Sequence, residues 1–153
     1  MRERTLILIK PDAINRGLAG EIISRFEKKG LKIVGMKMMK MSEEKAREHY
    51  SHHVGKPFYP DLEKFMTSMP IIALVVEGRN AVDVVRRIVG STNGREAEPG
   101  SIRGDYSMSV SKNLIHASDS KENAEKEIKR FFKEDELFDY GLAYEDFLYA
   151  SDE

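Results

Sequence analysis

The chain of 153 residues contains no cysteine. This absence excludes disulfides, thiolate zinc sites and cysteine nucleophiles, and it fits a reducing compartment. Long hydrophobic runs are also missing, because no apolar stretch approaches the length of a membrane span or of a signal-peptide core, and charged residues begin at Arg2. We therefore expect a cytoplasmic protein with no membrane partner.

The chain has no excess of charge of either sign. Its 25 basic and 26 acidic residues leave a net charge of -1, so no overall field draws it to nucleic acid, although a local patch can still bind phosphate. Hydrophobic residues make up 41% of the sequence, which is enough for the core of one domain. We expect a single domain over residues 1–153 and no specific nucleic-acid partner.

Three common catalytic motifs are absent. The sequence contains neither the G-x-S-x-G elbow of hydrolases nor the H-E-x-x-H of zinc proteases. Gly55-Lys56 is followed by Pro57, whereas a P-loop needs a hydroxyl residue there to bind magnesium. A P-loop nucleotide site is therefore excluded.

Three of the four histidines lie close together in the sequence. His49, His52 and His53 have the i, i+3, i+4 spacing of ligands on one helix face. Gly55 and Pro57 indicate that the helix has ended there, and no acidic or thiol partner stands beside these histidines. We interpret them as solvated surface residues.

Hydrophobic patterning predicts four strands and five main helices. The predicted strands are Thr5–Ile9, 31–38 with a bulge at Gly35, Ile71–Val76 and Tyr106–Val110. The predicted helices cover 18–29, 43–50, 59–67, 81–89 and 121–133. The order β-α-β, helical excursion, β-α-β is typical of the α+β class, namely a ferredoxin-like split β-α-β sandwich with an antiparallel sheet covered by helices. An open doubly wound sheet is the alternative, and it would be expected to use more strands.

Two segments outside these elements have a distinct composition. Residues 90–104 contain four glycines and a proline, which predicts a functional loop rather than a simple connector. Residues 138–153 form an aromatic-rich C-terminal tail, which we expect to pack on the body or on a neighbouring subunit.

The stretch Asn113–Ser120 holds the remaining histidine, His116. Ser118, Asp119 and Ser120 are residue types that cap helices, so His116 is predicted to lie just outside a helix N-terminus. Free N–H groups and the helix dipole favour a phosphate there, which makes His116 a candidate nucleophile for phosphate chemistry. The alternative is a surface histidine beside a cap.

Several polar side chains have positions from which they could join His116. Proline holds the residue before it extended, so the amine of Lys10 is expected to project beyond the first strand. The other candidates are Arg86 or Arg87 near a helix end, Thr92 and Arg103 in the glycine-rich loop, and Glu127 in the last helix. Cations beside a neutral imidazole would stabilise the transferring oxygens, and a carboxylate behind the ring would fix its tautomer.

Dispersed motifs make the chain resemble the nucleoside diphosphate kinase family from Arg4 to about Tyr140. The motifs are TLILIKPD (5–12), RGLAGE (16–21), EHY (48–50), KPF (56–58), GSTN (90–93), PGSIRGD (99–105) and NLIHASDS (113–120). The resemblance implies a ping-pong enzyme: a donor triphosphate phosphorylates His116, and an acceptor diphosphate then takes the phosphate.

The resemblance also implies a role for each matching residue. Lys10 contacts the sugar 3′-hydroxyl and the transferred phosphate, Tyr50 lines the site beside the histidine, and Asn113 contacts the sugar. Phe58 and Val110 stack on the two faces of the base, which would explain a broad base tolerance. The phosphate clamp consists of Arg86, which keeps the spacing of the family to Gly90, together with Thr92 and Arg103. Ser118 and Glu127 support the histidine.

Further implications concern cofactor and assembly. Magnesium would be carried by the nucleotide phosphates and not bound by the protein directly, and the chain would form a homo-oligomer, either a tetramer or a hexamer. Two residues depart from the pattern of the family: Ala117 replaces a usual glycine, which adds a methyl beside the nucleophile, and Gly94 replaces a frequent proline, which predicts a looser loop. The alternative function is a non-catalytic, kinase-like regulatory or nucleic-acid-binding domain.

Overall fold

The computed structural model describes residues 2–153. Its strands are β1 (Arg2–Ile9), β2 (Lys32–Met39), β3 (Ile71–Arg79) and β4 (Ile115–Ala117). Its α-helices are α1 (Pro11–Asn15), α2 (Ala19–Lys29), α3 (Glu43–His49), α4 (Tyr59–Ser68), α5 (Ala81–Val89), α6 (Ile102–Tyr106) and α7 (Lys121–Phe131), and 3₁₀ turns follow at Glu134–Glu136 and Glu145–Phe147. Among residues 2–153, no helix is long and apolar enough to cross a membrane.

The four strands form one sheet in the order β2-β3-β1-β4. Every pair of neighbours is antiparallel, and the strands at the centre of the sheet, β1 and β3, are joined over the whole length of β1. This is the strand order of a ferredoxin-like split β-α-β fold, so the predicted α+β class is confirmed and the doubly wound alternative is wrong.

Each face of the sheet is covered by its own set of helices. Alternate residues of β1 point to opposite faces, so Ile7 and Ile9 pack with α2 and α5, whereas Leu6 and Leu8 pack with α3, α4 and α7. These four β1 residues are 0% exposed, so each lies fully inside its cluster. Burial on both faces explains why the second half of β1, residues 6–9, is a continuous apolar run without polar alternation.

Several local signals in the sequence have the predicted effect. Gly30 ends α2 with a φ of +102°, a left-handed conformation that glycine adopts readily. The register of β2 against β3 shifts between Ile33 and Gly35, as a bulge requires. Ser42 and Ser120 accept hydrogen bonds from the first turns of α3 and α7, which caps both helices.

The predicted strand at Tyr106–Val110 is wrong. Tyr106 ends the short helix α6, which Ser101 caps by accepting from the N–H of Gly104. The residues that follow form a loop, in which Ser107 bonds through its hydroxyl to backbone groups of Ser109. Such local side-chain bonds compete with a strand ladder, and the place beside β1 is taken by Ile115–Ala117.

The glycine-rich segment is a loop from residue 90 to residue 101, and it is anchored at Gly94. Gly94 is buried and donates a backbone hydrogen bond to the carbonyl of Ser109 over 3.1 Å. A Cβ added at Gly94 would lie 2.3 Å from the carbonyl oxygen of Ser107. A proline there would lack this donor, so the backbone of Gly94 ties the loop to residues 107–109.

The C-terminal tail lies against the outer side of β2 and the end of β3. The N–H of Phe138 donates to the carbonyl of Val34 over 2.8 Å, and the Tyr149 hydroxyl accepts from the N–H of Arg79 over 3.2 Å. Its aromatic residues differ in exposure: Phe147 is 92% exposed, whereas Tyr140 is 46% exposed.

Truncating a central core side chain should destabilise the fold strongly. Phe26 is 0% exposed between α2 and the sheet, so Phe26→Ala should lower the free energy of unfolding by about 3–5 kcal/mol. The matched control, Phe147→Ala, removes the same atoms from an exposed position and should change it by less than about 0.5 kcal/mol. Urea unfolding measures both, and equal losses would contradict the core assignment.

Candidate active site

His116 lies in the middle of β4, directly opposite Leu8 of β1. Because paired residues project from the same face, its ring is on the side of the sheet that α3 and α7 cover. The helix α7 begins at Lys121, as the sequence predicts, and His116 lies on the strand that precedes it. Pairing with β1 holds this segment extended and separates the histidine from the cap at Ser120.

The neighbour of His116 in the strand points away from the site. Ala117 pairs with Ile7, is 6% exposed and packs in the cluster on the opposite face of the sheet. Successive strand residues alternate between faces, so the extra methyl group does not stand beside the imidazole. The alanine fills core space where a glycine would leave a gap.

Two side chains orient the imidazole of His116. Its Nε2 lies 3.0 Å from Oε1 of Glu127, and the same oxygen accepts from the Ser118 hydroxyl over 2.6 Å. Burial opposes ionisation of Glu127, but the hydrogen bonds from His116 and Ser118 and the positive field of the histidine outweigh it and lower the pKa of the carboxyl. An ionised Glu127 accepts a hydrogen bond from Nε2–H. The proton of the neutral ring therefore stays on Nε2, and the lone pair is on Nδ1.

The backbone before His116 is held in an uncommon conformation. Leu114 has a φ of +76°, a left-handed value that a leucine seldom adopts. Its N–H donates to Oδ2 of Asp12 over 3.0 Å, and its carbonyl accepts from the N–H of Lys10 over 2.9 Å. These bonds from α1 and the end of β1 hold the turn into β4. Sequence patterns did not identify the role of Asp12, because its partner lies 102 positions away.

Lys10 is extended after β1, with a φ of -76° and a ψ of 163°, and its amine enters the site. The Nζ donates to Oδ1 of Asn113 over 2.8 Å, and the amide nitrogen of Asn113 donates to the carbonyl of Thr92 over 3.1 Å. Burial first, and then the charge of Arg103, lower the pKa of Lys10 from 10.5 to about 8. Lys10 is thus a cation at pH 7, and a bound anion would stabilise its charge.

Arg103 is buried and carries both structure and charge. Its guanidinium donates to the carbonyls of Gly90, Asn113 and Ile115 at 3.0, 3.2 and 2.6 Å. Burial and the charge of Arg86 lower the pKa of Arg103 to about 10, so it stays a cation at neutral pH. Arg86 is more exposed and donates to the carbonyl of Ala117 over 3.4 Å.

Most of the predicted site residues line one polar cavity of about 660 Å³. They are Lys10, Arg86, Thr92, Arg103, Asn113, His116 and Glu127. A second cavity of about 620 Å³, with mostly apolar walls, is lined by Tyr50, Phe58 and Val110. Lys10, Thr92 and Asn113 belong to both cavities, so the two form one cleft with a cationic end and an apolar end. Ser118 is 0% exposed and contacts the polar end of the cleft through its hydrogen bond to Glu127.

His49 is a buried residue of this cleft, and the interpretation of all three clustered histidines as solvated is wrong for it. It is 4% exposed, and its ring lies edge-on to that of His116 with the centroids 4.6 Å apart. The helix does not end before His49, and the spacing from Ala46 to His49 puts both on its buried face. That spacing is the signal in the sequence that could have identified it.

The ring nitrogens of His49 and His116 and an oxygen of Glu127 lie within 4.8 Å of one another, and this set could hold a metal ion. Two of the donors are already engaged in the bond between His116 and Glu127. Lys10, Arg86 and Arg103 line the same cavity, and their positive field disfavours a cation. The arrangement favours an anion.

Comparisons with known proteins agree on one family. Residues 3–137 match the family model described as nucleoside diphosphate kinase. The chain is 62% identical over 138 residues to a nucleoside diphosphate kinase of Staphylothermus marinus, covering 90% of this chain and 98% of the relative, and 57% identical over 151 residues to one of Pyrococcus abyssi, covering 97% and 94%. The fold is similar to that of a halophilic nucleoside diphosphate kinase from Halobacterium salinarum in complex with CDP, with a TM-score of 0.95, 46% identity, and coverage of 97% of this chain and 99% of that chain.

The amine of Lys10 should titrate near pH 8 in the free protein. Because the folded-state pKa is below the unfolded value of 10.5, the penalty for burying the charge is present below pH 8, and stability should rise as the pH increases from about 8 to 10.5. Nitrogen-detected NMR of the lysine amines measures the titration, and Lys10→Met identifies the signal. If the signal lost in Lys10→Met titrates near 10.5 in the parent chain, the expected perturbation is absent.

Proposed function

Since this chain belongs to the nucleoside diphosphate kinase family and is an enzyme that transfers the γ-phosphate of a nucleoside triphosphate to a nucleoside diphosphate, we propose that His116 carries the phosphate between the two. The observation that supports this role is the bond from Nε2 to Glu127, which leaves Nδ1 as a lone-pair donor in a cavity whose lining includes Lys10, Arg86 and Arg103. Within residues 2–153, no other histidine has a carboxylate partner that fixes a tautomer in this way.

The proposed reaction has two displacement steps. In the first, Nδ1 of His116 attacks the γ-phosphorus, the bond from phosphorus to the β,γ-bridging oxygen breaks, and the nucleoside diphosphate leaves with that electron pair. In the second, the terminal phosphate oxygen of an acceptor diphosphate attacks the same phosphorus, and the bond to Nδ1 breaks. Glu127 and Ser118 hold the ring in one orientation throughout, which keeps the nucleophile in line.

Cations positioned before the substrate arrives would stabilise the charge that develops on the transferring oxygens. We assign this role to Arg86, Arg103 and Lys10, with the Thr92 hydroxyl as a further donor. We also assign the sugar 3′-hydroxyl to Lys10, which lies next to Asn113. Tyr50 is buried and lines the apolar end of the cleft. Burial first, and then the charge of Arg103, lower the pKa of Lys10, and a phosphate between the two side chains would offset their repulsion.

Phe58 and Val110 are assigned to the base. Both are about half exposed at the apolar end of the cleft. Their side chains offer apolar contact area and no hydrogen-bond donors. A base held by stacking is recognised by its π-face, which every base has, so the enzyme should accept purine and pyrimidine nucleotides.

A nucleotide phosphotransferase of this kind generally needs a divalent metal, and we propose Mg²⁺ bound to the nucleotide phosphates. Mg²⁺ prefers oxygen ligands, and the cleft offers few free ones, since Glu127 is engaged by His116 and Ser118. The residues therefore fit a metal that arrives with the phosphates and not one held by the protein. When bound, the ion neutralises part of the phosphate charge.

We further propose a homo-oligomer, tetramer or hexamer, in the cytoplasm, where nucleoside diphosphates and triphosphates are used. Light scattering of the purified chain decides between the two assemblies. The non-catalytic alternative is not favoured by the comparisons, because the relatives that match over most of the chain are named as the enzyme.

Replacement of His116 should abolish covalent labelling. With γ-labelled ATP and Mg²⁺, the parent chain should acquire an acid-labile, alkali-stable phosphate that GDP or CDP removes, and His116→Ala should acquire none because it lacks the nucleophile. The control is His52→Ala, which removes an exposed histidine and should still be labelled. Labelling that persists in His116→Ala would place the phosphohistidine elsewhere.

Loss of the base platform should weaken all nucleotides together. Stacking contributes about 1–3 kcal/mol per base, so Phe58→Ala should raise the KM for ADP, GDP and CDP by about 5- to 150-fold. Val54→Ala removes an equally exposed apolar side chain that lines neither cavity and should leave KM unchanged. Steady-state kinetics with each diphosphate test this, and a loss confined to one base would refute recognition by stacking.

A further inference from the structure

The ring of His49 forms one wall of the space around His116. Its centroid lies 4.6 Å from that of His116 and 5.1 Å from that of Phe131, with the planes of each pair nearly perpendicular. His49 stands at the end of α3 and Phe131 at the end of α7, so the contact joins the two helices beside the candidate nucleophile. Any tilt of the His49 ring would press on His116.

Arg130 of α7 determines which nitrogen of His49 carries the proton. Its guanidinium NH1 lies 2.9 Å from Nδ1 of His49. A guanidinium only donates hydrogen bonds, so Nδ1 is the acceptor and the proton of a neutral His49 is on Nε2. This Nε2 is buried and has no hydrogen-bond partner among residues 2–153.

Arg130 is itself fixed from α3. Its Nε lies 3.4 Å from a carboxylate oxygen of Glu48, and its backbone carbonyl accepts from Nζ of Lys45 over 2.7 Å. Both partners precede His49 on the same helix. The arginine is therefore paired with α3 on one side through the charge of Glu48, and it presents its NH1 group to the histidine.

The charge state of His49 matters because Glu127 lies near both histidines. Burial first, and then the positive fields of His116, Arg130 and His52, lower the pKa of His49 to about 2 against the opposing attraction of Glu127. A protonated His49 would compete for that carboxylate and would place another positive charge against His116. A neutral His49 leaves Glu127 to the nucleophile.

We propose that Arg130 and His49 are positioning residues for the phosphoryl transfer. Arg130 holds His49 as the neutral Nε2–H tautomer, and His49 in turn keeps the His116 ring in place and leaves its carboxylate partner undisturbed. The inference rests on the proposed function, because it needs His116 as the phosphorylated residue. It adds two residues that act through His116 and do not need to touch the nucleotide.

The first test is the rate of phosphorylation of His116 in a single turnover with saturating Mg-ATP. Arg130→Met keeps much of the side-chain volume and removes the donor, and it should slow this step about 10- to 100-fold, the size of loss known for groups that orient metal-bound histidines. The Kd for the nucleotide should stay within about threefold. Arg130→Lys, which restores a donor and the charge, should recover part of the rate.

Two further variants separate the hydrogen bond from the packing. His49→Phe keeps an aromatic ring against His116 without an acceptor for Arg130, and His49→Asn keeps an acceptor without the ring; both should be slow. Lys129→Met is the matched control, since it removes one positive charge from the same helix at an exposed position outside the cleft, and it should be as fast as the parent.

Nitrogen-15 NMR of the histidine rings provides a readout that does not depend on the variants folding. In the parent chain the His49 signal should report the neutral Nε2–H tautomer at pH 7. An Nδ1–H or protonated His49 would overturn the inference, and so would parent-like phosphorylation in Arg130→Met, or a raised Kd with an unchanged rate at saturation. If the parent chain is not labelled on His116, the proposed function fails first, and the two failures are thus distinguishable.

Discussion

The rest of the site depends on the pairing of the three-residue strand β4 with β1. This short ladder sets His116 opposite Leu8 and so chooses the face of the sheet on which the imidazole stands. A slip of one residue would turn the ring into the opposite core. The register is held at both ends, by Asp12 bonded to the N–H of Leu114 and by Ser118 bonded to the backbone of Leu6. A strand too short to define its own register is thereby given one by the side chains of Asp12 and Ser118.

The electrostatics of the cleft follow from this placement. Lys10, Arg86 and Arg103 are brought near one another before any anion is bound, and the depressed pKa values of Lys10 and Arg103 report burial and, after it, mutual repulsion. Such repulsion lowers the stability of the free protein, and a bound phosphate relieves it. The cations therefore raise the affinity for phosphate at a cost in folding stability. Glu127 takes no part in neutralising these cations, because its hydrogen bonds are made to His116 and Ser118.

Much of the fold was accessible from the sequence, because strong local signals and global packing agree. Gly30, Gly35, Ser42 and Ser120 each act within a few residues, and the apolar runs of β1 and β3 leave little choice of element. The strand predicted at 106–110 was wrong for the opposite reason: its alternation was outweighed by serine side chains that bond to their own backbone and by a competitor, Ile115–Ala117, that fits beside β1. The residues that resemble the family motifs converge on one cleft. The spacing from Ala46 could have shown that His49 is buried. Its bond to Arg130 could not be predicted, because it is a tertiary contact between residues 81 positions apart.

β4 is also the last strand of the sheet, and in the part of the chain that the structure describes its outer side has no neighbouring strand. An exposed row of carbonyls is a place where another extended chain can add to a sheet. Here the outward carbonyls of Asn113 and Ile115 accept from Arg103, and that of Ala117 accepts from Arg86. The two arginines assigned to the phosphate therefore also close the edge of the sheet, so that the strand carrying the nucleophile is protected from aggregation by the same charges that attract its substrate.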